Sequence, residues 1–145
     1  MRPLAAGDVA EVVALTRASA EAAQWSAAEF ERIAGEEVAT GCAWVAVAGP
    51  GIVGYIVTRC AAEEVEILNL AVAAGARRKG IAGRLLERAL AAAQAGPARR
   101  AFLEVRESNR AAIALYQRHH FLPAGRRALY YGNPPEDALV LARTL

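Results

Sequence analysis

Apolar and polar positions repeat with two different periods along this chain, and the switches between them mark its elements. Arg2 to Leu4 fits a short opening strand. Asp8 and Glu11 stand at capping-box spacing and start a helix through about Ala23, with Val9, Val12, Val13 and Thr16 on one side. Ser26 and Glu29 repeat that spacing and begin a second helix toward Val38, ended by Gly41. Two strands follow, Cys42–Ala48 and Ile52–Arg59, joined by the hairpin signal Gly49-Pro50-Gly51. Val65–Val72 is the next strand, Gly80–Ala95 a long helix stopped by Gly96-Pro97, and Ala101–Val105 a short buried strand. Ser108 or Asn109 caps a helix to about His119, and the tail adds strands near Arg126–Tyr131 and Ala138–Arg143 around Asn133-Pro134-Pro135.

The predicted order is βααβββαβαββ. Strand, helix and strand from Val65 to Val105 make a parallel pair, whereas the hairpins make antiparallel neighbours, so the sheet is mixed. No internal repeat, low-complexity tract or linker divides the chain, and 145 residues suffice for one domain with its own core. The composition is 55% hydrophobic and 22% charged, which is globular, but alanine supplies much of the apolar share, leaving rather few large core side chains.

A net charge of +2 is too mild for a nucleic-acid protein. No run of about eighteen apolar residues exists, and Asp8 and Glu11 interrupt the first apolar stretch, against a signal peptide. Neither nucleic acid nor membrane is therefore expected as a partner, and the expected location is cytoplasmic. Cys42 and Cys60 stand alone in strand-like segments; buried reduced thiols fit that location, with a disulfide as the alternative. His119 and His120 have no Cys or His at metal spacing, so no metal site is expected.

Three basic clusters stand out, Arg77-Arg78-Lys79, Arg99-Arg100 and Arg126-Arg127, and only the first has a ligand-like context. It lies between an apolar strand and a helix start, followed by Gly80, Ile81, Ala82 and Gly83, and no acidic residue occurs from Val72 to Leu86. Helix starts leave backbone N–H groups without partners and carry partial positive charge, so the stretch reads as a pyrophosphate cradle. It is not a nucleotide P-loop, because Ile81 and Ala82 stand where Lys and Ser/Thr belong, and no Gly-x-Gly-x-x-Gly dinucleotide motif is present.

The second constellation runs from Leu103 to Tyr116. Glu104 sits among Phe102, Leu103 and Val105, so its carboxylate is either on an open face or held in a cleft with a raised pKa. Tyr116 lies one turn after Ile113 on the helix that opens at Asn109 or Arg110. Taken singly, each is more often structural than catalytic, and only their pairing beside a phosphate loop shifts that balance. Trp25 fits half-buried packing as well as substrate recognition. Tyr130 and Tyr131 fall on alternate faces of their strand, so one should pack and the other face a cleft.

These segments together resemble the GNAT N-acetyltransferase superfamily and, within it, the ribosomal-protein-alanine N-acetyltransferases of the RimI type. Arg77-Arg78-Lys79-Gly80-Ile81-Ala82 is similar to the acyl-CoA signature Gln/Arg-x-x-Gly-x-Gly/Ala. Leu103 to Tyr116 resembles L-E-V-R-x-S-N-x-x-A-I-x-L-Y almost without gaps, and Arg126-Arg127 with Tyr130-Tyr131 resembles R-R-x-Y-Y. Glu136-Asp137-Ala138 and Gln24-Trp25-Ser26 match an E-D-A and, less closely, a Pro-Trp-Ser. The likeness covers nearly the whole chain and is densest from Leu68 to Val140.

The resemblance implies one acetyltransferase domain over residues 1–145, an α/β GNAT fold with a mixed, mostly antiparallel seven-stranded sheet flanked by about four helices. It implies acetyl-CoA as co-substrate and the N-terminal α-amine of a protein as acceptor, with a ribosomal protein's alanine foremost. A lysine side chain, a small-molecule amine or a non-catalytic CoA-binding module are the rivals, and a monomer or weak homodimer is implied. Leu70, Ala71 and Val72 would present backbone to the pantetheine arm and acetyl group. Arg77, Arg78, Lys79, Gly80, Ile81, Ala82 and Gly83 would hold the pyrophosphate, and Asn109 would bond the pantetheine arm. Glu104 would be general base and Tyr116 general acid for direct amine attack, with Trp25, Tyr130 and Tyr131 flanking the acceptor. One departure is His119-His120-Phe121 where the subfamily has Leu-Gly-Phe, so His120 would have to adopt a left-handed helix stop.

Overall fold

A computed structural model describes residues 1–35 and 41–145. Strand β1 (Arg2–Pro3) leads through a short 3-10 turn into α1 (Val9–Arg17) and α2 (Ala27–Gly35). Then come β2 (Gly41–Ala48), β3 (Gly51–Ala61), β4 (Glu64–Val72), α3 (Ile81–Gln94), β5 (Arg100–Arg106), α4 (Arg110–Arg118), β6 (Leu122–Gly132) and β7 (Pro135–Thr144). The described strands form one seven-stranded sheet in the order β1-β2-β3-β4-β5-β7-β6. Only the β4/β5 pair is parallel, as the strand–helix–strand pattern required.

Each face of the sheet carries a core. Leu85, Leu86 and Leu90 of α3, with Ile113 of α4 and Phe121, pack on Ile56, Val65, Leu103 and Leu141. On the other face Val12 and Val13 of α1 and Phe30 of α2 pack on Val45, Tyr55 and Val57. Burying a Leu, Val or Phe side chain stabilises by about 1.5–3 kcal/mol each, so these few large residues carry most of the apolar gain in an alanine-rich chain. Gly54 lets α3 approach β3: a Cβ there would lie 3.1 Å from the Ala71 carbonyl oxygen and 3.2 Å from Leu85 Cδ1.

The capping signals divide. Ser26 N–H donates to Glu29 Oε2 at 2.6 Å and Glu29 N–H reaches Ser26 Oγ at 3.4 Å, so the second box forms as predicted. The first does not. Asp8 is drawn to Arg2 at 2.5 and 2.7 Å and to Ala5 N–H at 2.8 Å, a charged two-pronged pairing that a helix amide cannot match. Glu11 accepts from Ile52 N–H at 2.9 Å and so ties α1 to the β2/β3 hairpin.

Helix α1 stops at Arg17, six residues short of the predicted Ala23. The chain from Ala18 to Ser26 is a loop folded on itself, with the Gln24 amide donating to the carbonyls of Thr16 and Ser19 at 3.0 and 3.1 Å. Val38, the predicted end of the second helix, lies outside the described residues; Gly41, expected to stop it, opens β2. The tail strands begin earlier than predicted, at Leu122 and Pro135. His120 takes the left-handed stop after α4 with φ +64°. Cys60 is half-buried against the α3 core, and the Cys42 side chain lies outside the described residues.

Candidate active site

Strands β4 and β5 pair only from Glu64/Arg100 to Ile67/Leu103. Beyond that point β4 follows β3 to Val72 while β5 follows β7 to Arg106, so the two parallel strands part and leave a wedge. The register of β4 against β3 jumps from Ile67 to Asn69, making Leu68 an extra residue. Such a bulge twists a strand and breaks the alternation of its side chains. Leu68 joins the α1/α2 core and Asn69 also points there, its amide donating to Ala23 O at 2.8 Å.

Two cavities open from the wedge. The larger, about 360 Å³, lies between the end of β4 and the starts of α3 and α4. Leu70, Ala71, Val72, Arg77, Arg78, Gly80, Ile81, Ala82, Gly83, Asn109 and Tyr116 all line it, so the structure gathers these predicted residues; Lys79 is not among its walls. Gly80 precedes α3 at φ +73°, and no side chain caps the helix, so its first N–H groups are left for a ligand. A Cβ at Gly83 would meet His119 Nε2 at 2.9 Å, so a larger residue there would push the imidazole aside. Asn109 caps α4, its Oδ1 accepting from Ala112 N–H at 3.1 Å, which leaves its amide NH₂ available.

The smaller cavity, about 140 Å³, is walled by β4 from Ile67 to Leu70, by Glu104, Val105 and Arg106, and by Tyr131, with Glu21 and Ala23 above. Leu70, Asn109, Ala112, Tyr116 and Glu21 border both cavities. Tyr116 is one of these shared walls, and its burial, with Tyr131 nearby as a lesser cause, pushes its pKa well above the ordinary phenol value. It is a neutral hydroxyl, a proton donor.

Glu104 lines this smaller cavity with 13% of its side chain exposed, so its carboxylate is recessed in a cleft and not on an open face. Arg127 Nε lies 2.6 Å from Glu104 Oε1, and Tyr130 hydrogen-bonds the same carboxylate. That bond, more than burial, raises the Tyr130 pKa. The predicted alternation of Tyr130 and Tyr131 fails. The β6/β7 register shifts between Arg127 and Tyr131, and Leu129 adopts φ +49°. Its N–H donates to Asp137 Oδ1 at 2.9 Å. The bulge brings both rings to one place, 5.1 Å apart and edge to face. Tyr131 lines the cavity under Arg106, whose Cζ is 4.0 Å from the ring, and Tyr130 stands exposed at its rim. Trp25 borders neither cavity and packs on Phe30 with ring centroids 5.6 Å apart.

The profile of the acetyltransferase (GNAT) family fits residues 10–121. This chain belongs to the GNAT family. The [ribosomal protein bS18]-alanine N-acetyltransferase of Escherichia coli strain K12 is 34% identical over 90 residues, 61% of this chain and 61% of that protein. The match thus spans about three-fifths of that relative's length. The N-alpha-acetyltransferase of Saccharolobus solfataricus is 34% identical over 115 residues, 70% of this chain and 68% of that one. In three dimensions, the crystal structure of the ribosomal-protein-S18-alanine N-acetyltransferase from Escherichia coli aligns with a TM-score of 0.86 at 27% identity, covering 98% of this chain and 90% of that one.

Within this GNAT site, Asn69 and Glu21 escaped the sequence reading, and Glu136 entered it only as part of a motif, without a role. Asn69 is buried in β4 and anchors the α1–α2 loop. Its signal was present, a lone amide in an apolar strand, the same anomaly that drew attention to Glu104. Glu21 borders both cavities only because the α1–α2 loop folds over the wedge, and nothing local announces that. Glu136 accepts from Ser108 N–H at 2.6 Å and lies 3.4 Å from Arg106. The Ser108 side chain, then its N–H, and Arg106 hold the Glu136 pKa below the usual carboxylate value. This fixes the β5–α4 turn and with it Asn109. Among the described residues no group of His, Cys, Asp or Glu is placed to hold a metal, and no helix is long and apolar enough to cross a membrane.

Proposed function

We propose that this chain, as one acetyltransferase domain over residues 1–145, moves the acetyl group of acetyl-CoA to the N-terminal α-amine of a protein, a ribosomal protein's alanine foremost. One observation carries the reading: two cavities meet at Tyr116, one floored by uncapped helix amides and the other holding a recessed carboxylate. The first suits a pyrophosphate, since Gly80 leaves open space for a close approach and no acidic side chain lies between Val72 and Leu86. Bound acetyl-CoA supplies the thioester carbon that the amine attacks.

The residues divide the remaining work. Arg77 Nε donates to Val72 O at 3.1 Å and fixes the loop between β4 and α3. The β4 segment from Leu68 to Val72 has no strand partner across the wedge, so its backbone is free to polarise a carbonyl. Glu104 takes the proton from the acceptor amine, and Tyr116 gives its proton to the departing thiolate. Neither cysteine enters. The α-amine is favoured on chemical grounds: its pKa of about 8 against about 10.4 for lysine supplies the free base some hundred-fold more readily at neutral pH. Tyr130, Tyr131 and the α1–α2 loop flank the entering peptide, and Trp25, at the end of that loop, fastens it to Phe30.

Competition between Ala-starting peptides and N-blocked peptides with an internal lysine tests the acceptor. Faster transfer to the free α-amine is expected. Faster transfer to the blocked peptides would overturn the N-terminal reading while leaving the fold and family untouched.

A further inference from the structure

The geometry points to Arg127 as a placeholder for the acceptor's ammonium: its guanidinium occupies Glu104 in the free enzyme and is displaced when the peptide N-terminus enters. The inference rests on Glu104 receiving the acceptor amine, as proposed above. Arg127 Nε and an α-ammonium are both cationic N–H donors, and Arg127 already sits 2.6 Å from Glu104 Oε1. Two cations drawn to one recessed carboxylate repel each other, so the ammonium binds best once the guanidinium has moved away.

The two partners are unequally placed. The Glu104 side chain is 13% exposed and the Arg127 side chain 59% exposed, so the carboxylate is recessed and the arginine reaches it from the solvent side. Emptying the cleft of every cation would leave a recessed carboxylate uncompensated, which is costly. Returning Arg127 to water costs little, because most of it is already there. The neighbouring cations are otherwise engaged: Arg126 lies against Glu107 and Asp137, and Arg106 against Glu136. Arg127 is also carried by the edge strand β6, immediately before its register shift, where the ladder to β7 is interrupted. It also lies by the Tyr130 ring, itself exposed, with Cζ 5.5 Å from the centroid. Swinging the guanidinium outward therefore breaks no buried packing.

Arg127→Gln, Arg127→Lys and Glu104→Gln, assayed with one Ala-starting peptide, test this. Arg127→Gln is expected to lower the acceptor KM about two- to five-fold, the worth of a partly exposed ion pair, with kcat and the acetyl-CoA KM holding. Arg127→Lys keeps a competing cation and is expected to keep the parent KM. A higher acceptor KM or lower kcat in Arg127→Gln would mean that the arginine orients Glu104 or grips the peptide, and overturns the placeholder. An unmoved KM, or equal lowering by Gln and Lys, overturns it too. Glu104→Gln separates the layers: retained kcat there refutes Glu104 as base, whereas lost kcat with an unmoved Arg127→Gln KM refutes the placeholder alone.

Discussion

Replacing Asn69 by alanine removes one hydrogen bond, yet its consequences should reach the acceptor side of the enzyme selectively. The Asn69 amide donates to Ala23 O at 2.8 Å from a site 5% exposed, and it is the strand's direct bond to the loop that roofs the smaller cavity. Ala23 is exposed and its carbonyl also accepts from Trp25 N–H at 3.0 Å, so the loss is the net worth of one hydrogen bond, about 0.5–1.5 kcal/mol. For a domain of this size about 2–4 °C of Tm accompanies each kcal/mol, so a fall of roughly 1–6 °C is expected. The loop also carries Glu21 and Ala23, both walls of the smaller cavity, so the acceptor KM should rise several-fold. The pyrophosphate end of the larger cavity is built from the β4–α3 segment, and acetyl-CoA affinity should stay near the parent value. Thermal melts, with initial rates at varied peptide and varied acetyl-CoA, separate these effects. An unchanged Tm, or equal losses for both substrates, would refute the assignment of Asn69 as the anchor of the acceptor-side loop.

Tyr116→Phe should cut kcat by about 10²–10⁴-fold while acetyl-CoA binding, read by calorimetry, is retained. Because burial raises the Tyr116 pKa, the folded protein keeps this proton as the unfolded chain loses it near pH 10. The stability this residue contributes is therefore complete below about pH 10 and lost as pH rises further, and Tyr116→Phe should flatten that alkaline decline in a melt series. Glu104→Gln should lower turnover about 10²–10⁴-fold with little change in acetyl-CoA affinity, and equal loss of both in a kinetic and binding comparison would make Glu104 structural. Acetyl-CoA at a hundred times its Kd should stabilise the parent by about 2.7 kcal/mol, and Gly80→Asp should abolish the Tm shift by setting a carboxylate against the phosphates. Gly80→Ala has open space for its Cβ and meets only the φ of +73°, so it should retain part of the shift.

The sequence determined the order of elements, the one parallel pair, the helix start that frees backbone amides, and the anomalous carboxylate in β5. Each follows from local rules of periodicity, capping and charge that act over a few residues. Tertiary structure decided whether those residues meet, and how. Asp8 had two suitors, its own helix and Arg2, and only the folded strand β1 brought the arginine near. Strict alternation separated Tyr130 from Tyr131, whereas pairing with β7 and the Asp137 tie to Leu129 forced a bulge that joined them. Trp25 looked equally suited to either role until Phe30 claimed it for the core. The wedge itself, and the partners Arg127 and Tyr130 that meet Glu104, depend on where two strands cease to pair. That is a competition between ladders distant in sequence, and no local pattern of residues encodes its outcome.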